Sequence, residues 1–69
     1  MSAVSQAQAN YDAALAKQAA LQAKLDAYHA QGIDGTDPQA QATFEAWQAS
    51  QTTVNLAWDK LKAAEAAEA

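Results

Sequence analysis

Apolar and polar residues follow one another along this chain with the spacing of two long helices. In the first half, one line of mostly apolar residues repeats at alternating steps of three and four. That spacing places the line on one face of a helix. Its members are Val4, Ala7, Tyr11, Ala14 (with Leu15), Gln18, Leu21, Leu25 and Tyr28. The second half carries a similar line, made of Ala40, Phe44, Trp47, Gln51, Val54, Trp58, Leu61 and Glu65.

The break between the two helices is marked by both glycines and the one proline of the chain. Gly32 suits the left-handed residue that ends a helix. Asp37 and Pro38 supply an N-cap acceptor and a preset first helical residue. The sequence therefore predicts a single domain over 1–69, with helices at 3–31 and 38–66 and a turn at 32–37. The predicted fold class is all-α, an antiparallel two-helix hairpin that resembles a coiled coil.

The two lines match when the helices fold back on each other about this turn. Facing residues then have numbers that sum to 68 or 69, as in the pairs Tyr11 with Trp58 and Gln18 with Gln51. Because a slipped register would place each glutamine amide against an apolar group, the two glutamines are predicted to fix the hairpin register. The alternative is that both lie at the edge of the helix contact and reach water.

A stripe of alanines covers the opposite face of the first helix. It consists of Ala9, Ala13, Ala16, Ala20, Ala23, Ala27 and Ala30. Small side chains let helices approach closely, and Leu56 is a large apolar residue on the outer side of the second helix. These residues are predicted to form an intermolecular interface that completes a helical bundle with a second copy or a partner. The alternative is that alanine is present for its helix propensity alone.

Composition narrows the classes of function. The chain has no cysteine, four lysines, no arginine and a formal net charge of −4, which argues against a nucleic-acid partner. No apolar run approaches the roughly 20 residues of a membrane span, and the first residues do not resemble a signal peptide. We expect a cytoplasmic protein or a component of an assembled particle.

Candidate chemistry is sparse. The one histidine, His29, lies near Asp34 and Asp37, but a metal site or a general base needs ligands or partners held in place by surrounding structure. We therefore expect no catalytic residue, no metal, no cofactor and no enzymatic activity. Ile33 is predicted to cover the end of the hairpin rather than to dock a partner.

The segment Phe44-Glu45-Ala46-Trp47-Gln48, which follows the Asp-Pro turn, is similar to the aromatic pair of some small co-chaperones of type III secretion. The order of helix, turn and aromatic-bearing helix resembles the hairpin proteins of that system, including its needle subunits. The charged, alanine-rich C-terminus departs from the apolar end of needle subunits.

The sequence thus predicts a non-enzymatic structural or assembly protein that acts through helix packing. It would be a small subunit or adaptor of a larger assembly, such as a phage particle or a secretion-type apparatus, with itself or a larger protein as partner. The alternative is a small co-chaperone or inhibitor that masks an apolar helix of a partner protein.

Overall fold

The protein consists of two long helices in a computed structural model that describes residues 2–68. Helix α1 spans Ala3–Ala30 and helix α2 spans Pro38–Glu68. They pack against each other along a rod of 49 × 14 × 13 Å. They run in opposite directions, because Tyr11 near the start of α1 contacts Trp58 near the end of α2. The predicted two-helix hairpin is confirmed, with α1 one residue shorter and α2 two residues longer than expected.

Local hydrogen bonds define both ends of the turn. The Ile33 N–H donates to the Tyr28 carbonyl at 2.9 Å, and the Gly32 N–H donates to the His29 carbonyl at 3.0 Å. With Gly32 at a φ of +76°, this is a Schellman motif, as glycine at the end of α1 predicted. Ile33 is half-buried and lies beside Tyr28 and Phe44 at the turn end of the hairpin.

Asp37 caps the start of α2. Its Oδ1 accepts hydrogen bonds from the backbone N–H groups of Gln39, at 2.8 Å, and Ala40, at 3.2 Å. Two of the N–H groups that a helix start leaves unpaired are thereby satisfied. The predicted cap is confirmed.

Removing this cap gives a first prediction. Asp37→Ala is expected to lower the free energy of unfolding by about 1 kcal/mol, because both N–H groups lose their side-chain acceptor. Urea denaturation followed by circular dichroism measures the change. Asp37→Asn is the matched control, since its amide oxygen can still accept these bonds. Equal stability of Asp37→Ala and the unchanged protein would contradict this role of the cap.

The line of α1 residues that faces α2 is the predicted one. Every member is buried or half-buried, with the exception of the neighbouring Leu15, which is exposed. The pairing of Tyr11 with Trp58 is also confirmed, because their ring centroids lie 5.3 Å apart with the planes tilted by 49°.

The line predicted for α2 is wrong at every second position. Phe44, Gln51, Trp58 and Glu65 are exposed. Their places in the contact with α1 are taken by small residues one position earlier, and these are Thr43, Ser50, Ala57 and Ala64. Small side chains let the helix axes approach closely, while large rings at the edge can still reach over and pack on the other helix. The edge rings are therefore only partly covered.

The buried core is correspondingly small. Among residues 2–68, the buried apolar residues are Ala14, Ala40 and Leu61, and Leu61 is the one large side chain of the three. Ser50 is buried as well, and its hydroxyl donates to the Trp47 carbonyl at 2.6 Å. Because this hydroxyl is satisfied within its own helix, it does not hinder close packing.

Candidate interaction surface

Large apolar side chains gather on one long side of the hairpin. Leu15 is 38% exposed, Trp58 42% and Phe44 46%. Tyr11 and Trp47 are half-buried on the same side. We call these five residues the aromatic face.

The members of the aromatic face follow one another along the hairpin. The Phe44 and Trp47 rings stack with centroids 6.0 Å apart and planes 22° apart. Trp47 and Leu15 line the same groove between the helices. Leu15 lies one helical turn from Tyr11, whose ring packs on Trp58. From Phe44 to Trp58 the face extends over about 21 Å at 1.5 Å per residue.

The middle of the aromatic face carries no charged side chain. Its central groove is lined by Leu15, Trp47 and three uncharged residues, Gln18, Ala19 and Gln22. Charged side chains lie toward its two ends. Asp26 lines the groove beside Phe44 at the turn end, and Lys62 Nζ lies 4.3 Å from the centroid of the Trp58 ring at the other end. The same Nζ lies 3.7 Å from an Oε1 of Glu65. The centre of this face can therefore lose its water without the cost of burying a charge.

The other long side of the hairpin has a different character. A groove of about 510 Å³ lies between the helices near their open end. Leu56, 56% exposed, lines it together with Lys60 and Thr53 of α2 and Asn10 of α1. Lys17 and Lys24 follow Asn10 at steps of seven, which places them on the same side of α1. Three of the four lysines are thus on this lysine side.

The alanine stripe is exposed along its whole length, on the face of α1 that points away from α2. This is the orientation expected from its spacing. Its predicted role in an intermolecular interface, shared with Leu56, stays a prediction. The stripe itself offers only methyl groups, whereas the aromatic face offers large rings.

The two glutamines proposed to fix the register lie in different environments. Gln18 is half-buried, whereas Gln51 is exposed and Ser50 occupies the buried position beside it. The exposure of Gln51 matches the alternative in which the side chain reaches water. Since Gln51 lies midway between Phe44 and Trp58 on one line of α2, it adjoins the middle of the aromatic face.

The residues near the turn hold each other in place. The Asp34 carboxylate accepts from the Thr36 hydroxyl at 2.6 Å and from the Thr36 N–H at 2.9 Å. These two hydrogen bonds to its charged form lower the pKa of Asp34 from the model-peptide value. Both aspartates near His29 therefore accept local hydrogen bonds, Asp34 from Thr36 within the turn and Asp37 from the start of α2, and His29 itself is exposed.

Within residues 2–68, no cluster of three or more histidine, aspartate or glutamate side chains is arranged to hold a metal ion. In the same part of the chain, neither helix has an apolar stretch long enough to cross a membrane.

Sequence reasoning placed Phe44 and Trp58 in the core and so missed the aromatic face. One signal was present. Positions 43, 50, 57 and 64 are Thr, Ser, Ala and Ala, a line of small residues beside the line of rings. Such a line permits the close helix approach that leaves the rings at the edge.

Compared with known protein families, curated proteins and solved structures, the chain shows no significant match.

Proposed function

We propose that this chain is a non-enzymatic structural or assembly protein that acts by packing its helices against other helices. One observation carries the proposal. Of the large apolar side chains that the structure describes, the hairpin buries Leu61 alone and leaves Leu15, Phe44, Leu56 and Trp58 exposed. Covering the part of each side chain that is still exposed contributes on the order of 1 kcal/mol, because full burial contributes about 1.5 to 3 kcal/mol and these side chains are already about half covered. Contiguous apolar patches are typical of protein interaction sites.

The shape of the molecule supports a role as a small subunit or adaptor of a larger assembly. A rod 49 Å long with different chemistry on its two long sides can contact neighbours along both. Assemblies of this kind include a phage particle and a secretion-type apparatus, and either is compatible with a hairpin of this size.

A photo-crosslinking experiment tests the proposal. Phe44 is replaced by a photoreactive phenylalanine derivative in the chain produced in its native cell, and illumination is followed by mass spectrometry of the adducts. We expect an adduct of discrete mass, with the chain itself or with one other protein. The matched control carries the same derivative at Ala46, an exposed position on the same helix. Absence of any adduct specific to the Phe44 position would contradict the proposal.

A second candidate function is a small co-chaperone or inhibitor that masks an apolar helix of a partner protein. The groove on the lysine side favours it, because Leu56 there is the most exposed of the large apolar residues within 2–68. The photoreactive derivative at Leu56 tests this candidate. The co-chaperone or inhibitor candidate predicts that the derivative at Leu56 forms an adduct with one other protein and that the derivative at Phe44 forms none.

A further inference from the structure

We propose that a second copy of this chain covers the aromatic face, giving a four-helix homodimer. The proposal rests on the proposed function, in that the face works by helix packing, and it names the partner. In a two-fold dimer the same patch of each copy contacts the same patch of the other. The aromatic face of one hairpin would then lie on the aromatic face of its partner.

The amount of uncovered surface fits such a dimer. The chain exposes 4789 Å², whereas a compact monomer of 7.2 kDa exposes about 4,100 Å². The excess is about 700 Å² per chain. The excess belongs to the whole rod; if each copy covered an area of that size, the pair would bury about 1,400 Å², which lies within the range of roughly 1,200 to 2,000 Å² found in stable interfaces.

The distribution of charge selects the face. Two-fold pairing through the lysine side would bring Lys17, Lys24 and Lys60 of one copy toward the same lysines of the other, and like charges in contact repel. The middle of the aromatic face has no charge to oppose its symmetry copy. Depletion of charged residues and enrichment of aromatic rings are also typical of interface centres.

The small core favours a second copy of the chain as the partner. With one large side chain buried among residues 2–68 and no cysteine to form a disulfide, a 69-residue chain of this kind is at the margin of stability. The folded chain is therefore stabilised by any partner that covers the aromatic face and is present in equal amount whenever the chain is made. A second copy meets that condition directly, and association then stabilises the folded state by mass action.

Gln51 provides the test, because it adjoins the middle of the aromatic face and is exposed in the single hairpin. Sedimentation equilibrium of the purified chain is expected to give twice the mass of one chain. Gln51→Glu keeps the side-chain shape but places a charge in the interface of both copies. We expect the dissociation constant of the dimer to rise at least about tenfold. Gln51→Leu extends the apolar surface, and we expect tighter association.

Gln39 is the matched control position, since it is an exposed glutamine of the same helix. It lies two steps of seven before Thr53, which lines the groove on the lysine side, and is therefore outside the aromatic face. Gln39→Glu and Gln39→Leu are expected to leave the association unchanged. Circular dichroism of every variant reports whether the helices are retained. Because Gln51→Leu acts in the opposite direction to Gln51→Glu, loss of folding cannot imitate the expected pair of results.

Two outcomes would overturn the homodimer. One is a monomer that melts cooperatively at every protein concentration, and the other is a dimer whose affinity responds equally at Gln51 and Gln39. A monomer in solution combined with a Phe44 adduct to another protein in the cell would refute the homodimer and leave the proposed function standing. A monomer with no specific adduct would refute both.

Discussion

Leu61→Ala is expected to lower the free energy of unfolding by about 2 to 5 kcal/mol, enough to remove most of the helical structure of so small a protein. Leu61 is 3% exposed and is the one large side chain that the described residues bury. Its loss removes apolar burial and leaves a cavity between two helices whose other large apolar side chains are only partly covered. Urea denaturation monitored by circular dichroism measures the effect.

Leu56→Ala is the matched control, because it makes the same substitution on the same helix at a side chain that is 56% exposed. We expect its effect on stability to stay within about 0.5 kcal/mol. A similar loss of stability in both variants would show that Leu61 does not hold the hairpin together in the way its burial indicates.

Ala14→Glu is expected to be comparably severe. Ala14 is the buried residue of α1 and faces α2. A glutamate there forces the helices apart, at a cost of about 1 to 3 kcal/mol for overpacking, and adds the cost of removing a carboxylate from water. We expect a large loss of helicity in circular dichroism at neutral pH, with partial recovery in acid as the new carboxylate becomes neutral.

Ala16→Glu is the control for this substitution. Ala16 lies two residues further along α1, in the exposed alanine stripe. A glutamate at that position has water around it and good helix propensity, and we expect unchanged helicity. If Ala16→Glu, alone or with Ala23→Glu, dissociated an oligomer while the helices remained, the alanine stripe would be an interface as its sequence predicts. Loss of helicity in Ala16→Glu would contradict the orientation of α1 in the hairpin.

Most of the fold could be predicted because its signals are local. Gly32, Asp37 and Pro38 act through the backbone of their own turn, so their roles do not depend on distant contacts. The α1 line is also clear, since Leu15 is the one large apolar residue of α1 that lies outside it. The candidate site was harder to predict, because exposure of Phe44 and Trp58 depends on how closely the second helix approaches the first.

The sequence by itself determined two helices, the turn that joins them and the face of α1 that turns inward. On α2 it left neighbouring lines of residues in competition, one with rings at Phe44 and Trp58 and one with the small residues Ser50 and Ala57. Only the tertiary structure decided between them. Packing favours the small line because it brings the helix axes close, and the large rings then remain at the edge with one side against α1 and the other toward water.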